Sequence, residues 1–175
     1  MTETARPSDE ALTRQASLGD RGAFGELFQR SERRALAVAI GLVGNRGDAE
    51  EAVQEAFVRA LERLGTIREP SRFSAWFTGI LYRVCLELRR ARRRPKPGRV
   101  EVSTVLKSDA AARVVEVALG LEEDFRDILV LVYLEGLSLE EAALALGISD
   151  ANAKVRVHRA RRMLRERLGA KGEAP

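Results

Sequence analysis

The sequence predicts an all-α protein made of two small helical domains joined by a flexible linker. Three observations carry this. Apolar residues recur at intervals of three and four along most of the chain, and no stretch of any length alternates apolar and polar residues as a strand would. Gly19, Gly44, Gly65, Gly136 and Gly147 stand where the periodic segments end. A chain of 175 residues suffices for one ordinary domain or two small ones. With 45% apolar and 32% charged residues it is neither collagenous nor wholly disordered.

The elements follow in order. A first helix starts at a cap formed by Ser8 or Asp9 and runs to Ser17 or Leu18. The second covers about Gly22 to Val43, anchored by Phe24, Leu27, Phe28, Leu36 and Ile40, and stops at Gly44-Asn45. The third is the most periodic. With Asp48 as its expected cap, it places Ala49, Ala52, Val53, Ala56, Phe57, Ala60, Leu61 and Leu64 on one stripe. Asp48, Glu51, Glu55, Arg59 and Glu62 are left outside. After a loop marked by Pro70, a helix from near Ser71 buries Phe73, Trp76, Phe77, Ile80 and Val84. Residues 95–108, with Pro95, Pro97, Gly98 and several β-branched residues, read as the linker between domains 1–94 and 109–175. The second domain holds helices at Ala111–Leu119 and Glu122–Leu134, then two more beyond Gly136.

Several function classes drop out. One cysteine, Cys85, forms no internal disulfide, and with one histidine, His158, it cannot supply a structural zinc site. No glycine-rich phosphate loop, Ser-His-Asp set or Cys-His set is visible, so no enzyme, cofactor or metal is expected. No apolar run approaches the ~20 residues of a membrane helix, and the N-terminus lacks a secretory signal, so the expectation is a cytoplasmic protein without membrane insertion.

The net charge of +4 conceals two basic blocks. Residues 83–94 carry Arg83, Arg89, Arg90, Arg92, Arg93 and Arg94 against Glu87. Residues 152–167 carry Lys154, Arg156, Arg159, Arg161, Arg162, Arg165 and Arg167 against Glu166. Between them the balance is acidic. A lone basic run is commonly a solvated face, but two such blocks suit a protein that grips a polyanion at two places.

Residues 138–164 carry the spacing of a DNA-binding helix-turn-helix, which differs from an ordinary helical hairpin in its polar second helix. Ser138 and Glu141 form a capping box, Ala142 and Ala143 permit close helix crossing, Gly147 ends the first helix, Ile148 plugs the turn, and Ser149 or Asp150 caps the second. On that second helix Ala153, Val157, Ala160, Leu164 and Leu168 face inward. Asn152, Lys154, Val155 and Arg156, near its N-terminus, are candidate base readers, and Arg159, Arg162 and Arg165 suit phosphates. Val155 fits a thymine methyl or is a tolerated surface apolar residue. His158 is read as a polar contact rather than a proton switch.

These segments together resemble bacterial sigma factors of the sigma-70 family, in the compact extracytoplasmic-function (ECF) group. AFGELFQRSERRALAVAIGLVGNRGDAEEAVQEAFVRAL resembles the family's first block, RFSAWFTGILYRVCLELRRARRR its promoter −10 block, and YLEGLSLEEAALALGISDANAKVRVHRARRMLRERL its −35-binding domain. The family's intermediate third domain is absent, as in this group. The chain departs from the common pattern at Arg83 and Glu87, where the family's −10 helix commonly has Asn and Asp, and at Ala151-Asn152-Ala153-Lys154-Val155-Arg156, where its recognition helix commonly has a GTVKSR-like stretch.

The resemblance implies a factor that binds core RNA polymerase, recognises −35 and −10 elements and assists melting. Asp48, Glu51, Gln54, Glu55 and Arg59 would dock on the β′ clamp helices, and the C-terminal domain on the β flap. Arg68, Arg72, Arg83, Arg89, Arg90 and Arg93 would hold the melted −10 strand. Trp76 and Phe77 tempt as stacking platforms, but their spacing argues core. An anti-sigma factor is a further implied partner. The competing reading is a helix-turn-helix regulator whose N-terminal domain binds something other than polymerase.

Overall fold

A computed structural model describes residues 6–92 and 109–170. Among them every regular element is helical: α1 (Asp9–Ser17), α2 (Arg21–Val43), α3 (Arg46–Arg63), α4 (Phe73–Ala91), α5 (Asp109–Leu119), α6 (Glu123–Leu129), α7 (Leu139–Leu146) and α8 (Asp150–Ala170). Short 3₁₀ turns at Leu64–Thr66 and Pro70–Arg72 link α3 to α4, and a π-helical turn at Val130–Leu134 extends α6. The expected linker, 95–108, lies outside the described residues.

Side-chain caps set the helix starts. Ser8 Oγ accepts from the Ala11 amide at 3.1 Å, and Asp20 Oδ1 accepts from Gly22 and Ala23 at 2.8 and 3.0 Å. These contacts satisfy amides that have no partner inside the helix. Gly44 ends α2 at φ +84°, where a side chain would be strained. Asn45, not Asp48, caps α3: its carbonyl oxygen accepts from the Asp48 amide at 2.8 Å while its NH₂ donates to the Asp48 carboxylate at 2.9 Å. The helix therefore starts two residues before Asp48, whose side chain becomes part of the cap.

An aromatic cluster fixes the N-terminal bundle. The Phe57 ring lies 4.2 Å from Phe28 and 4.3 Å from Phe77, and Phe73 stacks on Phe77 at 5.9 Å. The α3 stripe is buried as predicted except at Leu61, which is half-exposed. One step round from Ala60, Leu61 falls outside the arc that α2 and α4 cover. Trp76 is only partly buried, whereas Phe77 is in the core.

The two halves share one core. Ala112, Val115 and Leu119 of α5, Val130 and Leu131 of the π-helical turn, Leu137 and Ala142 are continuous with the buried residues of α1–α4. A second cluster, with Ala118, Leu121, Ile128, Leu129, Ala143, Ala153, Val157 and Ala160, holds the C-terminal helices together. Glycine makes the junction possible: a Cβ on Gly41 would stand 2.8 Å from Val130 Cγ2, so only a bare backbone lets α2 approach the π-helical turn. Small residues and an inserted backbone turn are absent from helical periodicity, which is why the shared core does not follow from the sequence pattern.

Candidate nucleic-acid interface

The outer arc of α8 is the clearest surface. Ser149 Oγ accepts from the Asn152 amide at 3.3 Å and starts the helix, and the Ser138–Glu141 capping box sets α7 in front of it. Ala153, Val157 and Ala160 are buried, which turns Asn152, Lys154, Val155, His158, Arg159 and Arg162 outward. Val155 is 49% exposed in the middle of that polar arc. Arg156 sits differently: its guanidinium pairs with Asp124 of α6 at 3.0 Å and with Asn152 at 3.1 Å. Arg165 is exposed but curls along α8 toward the carbonyl of Arg161 and lines a groove with Val114, Leu134 and Arg161. Arg161 lies over the Tyr133 ring, 5.2 Å from its centroid.

A second basic surface surrounds the turn before α4. Arg63, Arg68, Arg72 and Arg83 ring a cleft of about 480 Å³ whose floor is Trp76, Ala75 and Ile80. Arg63, which closes α3, was not among the sequence candidates. Glu141, Leu144 and Ala145 of α7 form the opposite wall, and Leu144 is 78% exposed there. Arg90 is exposed on α4, and Arg93 lies outside the described residues.

Arg89 does not join them. Its guanidinium donates to Asp127 Oδ1 at 2.9 Å and Oδ2 at 2.7 Å, with side chains only 9% and 4% exposed. It also reaches the Leu42 carbonyl at 3.3 Å, and the Tyr82 hydroxyl donates to Asp127 at 3.2 Å. Burial works against the Arg89 charge, but the hydrogen bonds and charge of Asp127 outweigh it and raise the arginine's pKa. Neighbouring Arg126, with weaker partners, has its pKa lowered by burial. Burial also pushes the Tyr82 hydroxyl and the Cys85 thiol up to about 12 each. At the opposite end of α4 the Ser74 hydroxyl donates to Glu135 at 2.5 Å, and burial raises the Glu135 pKa.

The outer face of α3 is less free of intrachain partners than its sequence suggests. Arg59 pairs with Glu55 at 2.7 Å and with Glu87 of α4 at 2.8 Å, which lowers the Glu87 pKa. Arg92 of the same neighbourhood bridges Asp48 and Glu51. Glu87 on α4 and Arg92 at its C-cap both reach α3 because α4 lies alongside it. Gln54 remains exposed, and Val58 and Leu61, 54% and 50% exposed, follow it at helical spacing. These two apolar residues are the part of the surface that sequence reasoning missed; Val58 was legible as the apolar residue outside the α3 stripe.

Among the described residues no group of three or more metal-ligating side chains gathers, and no helix is long and apolar enough to cross a membrane.

Comparison with known proteins gives the arrangement a family. Residues 27–95 match the family model of Sigma-70 region 2, and residues 112–164 that of Sigma-70, region 4. The ECF RNA polymerase sigma factor SigM of Mycobacterium tuberculosis (strain ATCC 25618 / H37Rv) is 32% identical over 167 residues, covering 93% of this chain and 85% of SigM. A Xanthomonas campestris pv. campestris protein, named "Probable RNA polymerase sigma factor RfaY", is 30% identical over 181 residues and 91% of this chain, which spans 45% of that relative's length. The solved structure of CnrH in complex with the cytosolic domain of CnrY superposes with a TM-score of 0.70 at 31% identity, covering 93% of this chain and 97% of CnrH. Two region matches in chain order, with similarity running through nearly the whole sequence, lead to one conclusion: the chain belongs to the sigma-70 family of RNA polymerase sigma factors, in its extracytoplasmic-function group.

Proposed function

We propose that this sigma factor holds core RNA polymerase through the outer face of α3 and reads promoter DNA with two separate basic surfaces. Asn152, Lys154, Val155 and Arg156 meet base edges of the −35 element, while His158, Arg159, Arg162 and Arg165 meet its backbone. Arg68, Arg72 and Arg83, with Arg90, Arg93 and a released Arg89, hold the melted −10 strand, where a basic groove beside an aromatic floor suits single-stranded DNA. Glu51, Gln54, Glu55 and Arg59 contact the β′ clamp helices around Val58 and Leu61, with Asp48 shaping the start of that helix. The C-terminal helices contact the β flap. The protein acts in the cytoplasm as a binding subunit and performs no covalent chemistry.

The observation that carries this reading is the outward arc of α8, polar and basic over several turns while Ala153, Val157 and Ala160 seal its inner side. An anti-sigma partner is part of the proposal; CnrH, similar over 93% of this chain, is assembled with the cytosolic domain of CnrY.

The test is binding to purified core polymerase, then run-off transcription from candidate promoters, by wild type and by the Glu51→Ala, Gln54→Ala, Val58→Ser variant. Wild type binds and transcribes, and the variant loses core binding with its fold intact. Undiminished core binding by the variant overturns the α3 assignment; a wild type that never engages core polymerase overturns the whole reading.

A further inference from the structure

A groove of about 570 Å³ lies between α5, the π-helical turn and α8, and shares no lining residue with the cleft before α4. Its walls are apolar: Val114 and Ala118 come from α5, Leu129 from the end of α6, Leu134 from the turn and Leu164 from α8. Its polar lining is Tyr133, Arg161 and Arg165, all three exposed and so on the solvent side. We propose that this groove binds a small amphipathic carboxylate, with the apolar body between α5 and α8 and the carboxylate on the guanidiniums of Arg161 and Arg165. The proposal needs nothing from the promoter reading.

The two charges at the groove are unanswered within the fold. Arg161 spends its Nε on the Tyr133 hydroxyl and lies over that ring, which holds the guanidinium in place. Arg165 spends its Nε on the Arg161 carbonyl at 3.4 Å. Among the described residues neither pairs with a carboxylate, and Glu166, beside them on α8, is engaged by Arg162 at 3.7 Å. A guanidinium carries five N–H donors, so each arginine keeps its Nη groups for an incoming anion. That fork takes a carboxylate through two hydrogen bonds at once.

The backbone shapes the apolar part. A π-helical turn is uncommon and recurs at functional sites. Here the Glu135 amide reaches the Val130 carbonyl at 3.2 Å, and the turn so closed brings Val130, Tyr133 and Leu134 to one groove. Ala118 contributes only a methyl from the α5 side. The volume lies within the range of small-molecule sites, which are walled by apolar side chains with a few placed polar groups. An inorganic anion covers none of the apolar wall, and a neutral hydrocarbon gives the guanidiniums no acceptor; a molecule that carries both parts meets both needs.

The probe is decanoate, titrated calorimetrically into the full chain, with acetate as the headgroup alone and decanol as the tail alone. Wild type binds decanoate saturably, and its melting temperature rises with ligand concentration, as a ligand of the folded state requires. Acetate and decanol bind about tenfold or more weakly. Arg161→Gln loses about tenfold in decanoate affinity, the size of a charge-assisted hydrogen bond, and leaves decanol unchanged. Val114→Phe and Leu134→Phe each fill the groove from a different wall and abolish saturable binding. Circular dichroism of the unliganded variants checks their folding, so that if one filling variant misfolds the other still judges the site. Arg165 is left intact because it also belongs to the −35 set. The proposal is overturned by a wild type that does not bind decanoate saturably, by equal affinity for decanoate and decanol, or by undiminished binding in a folded filling variant.

Discussion

The Arg89 guanidinium and the Asp127 carboxylate meet through two hydrogen bonds of 2.9 and 2.7 Å across the seam between the N-terminal and C-terminal helices, 38 residues apart in sequence. Around them Tyr82 donates a third hydrogen bond, and Gly41 gives way to Val130. The junction is at once a nearly fully buried charge pair and the place where the two halves touch.

Removing one partner of that pair leaves a buried charge alone. Asp127→Ala is expected to lower stability by about 3–5 kcal/mol, whereas replacing both, as Arg89→Met with Asp127→Leu, costs far less than the sum of the single changes. Urea denaturation of the two singles and the double forms the cycle. Additive losses would show that the two groups do not act as a pair.

Glu135 gives the fold a pH dependence of defined sign. Burial is the main cause of its raised pKa, opposed by the hydroxyls of Ser74 and Thr78 and by the charge of Arg34. A carboxyl that holds its proton more tightly in the folded state contributes its full stability below the unfolded pKa and loses it as pH rises through the folded one. Glu135→Gln should therefore be more stable than wild type at neutral pH, with the difference closing as pH falls toward the ordinary carboxylate range. Thermal melts from pH 4 to 8 measure it; a difference that grows on acidification reverses the sign and refutes the assignment.

Gly41→Ala should destabilise the protein even though alanine favours helix by about 1 kcal/mol. The new methyl meets Val130 at 2.8 Å, and overpacking of this kind costs about 1–3 kcal/mol. Val130→Ala placed in the same chain makes room and recovers most of the loss. Guanidinium titrations of the three variants check this, and a Gly41→Ala protein more stable than wild type contradicts the close approach.

On α8, Arg159→Ala and Arg162→Ala should weaken promoter binding across sequences, each reducing the slope of log affinity against log salt by about one. Changes at Asn152 or Val155 should instead alter which −35 sequence is preferred. Fluorescence anisotropy over a salt series with two promoter duplexes separates the outcomes. A change of sequence preference without a change of slope in the arginine variants would reassign the face.

Helix number, the helix-turn-helix and its inward and outward faces were legible in the sequence, because helical periodicity, capping side chains and glycine stops are local effects. Ser138, Glu141, Gly147, Ala153 and Val157 act within a turn or two of their own position. Leu61 and Asp48 were misread for a related reason: periodicity alone does not say how wide an arc the neighbours cover, nor which of two adjacent polar residues supplies the cap. Arg59 and Glu51 looked uncommitted in sequence because Glu87 and Arg92, which engage them, lie one helix away.

By itself the sequence determined an all-α chain with two basic blocks and a family resemblance carried by three segments in order. Only the tertiary structure decided what those charges do. Whether an arginine faces solvent, a nucleic acid or a carboxylate depends on which helix packs beside it, and for Arg89 that helix is α6, brought within reach because Gly41 has no side chain to hold it off.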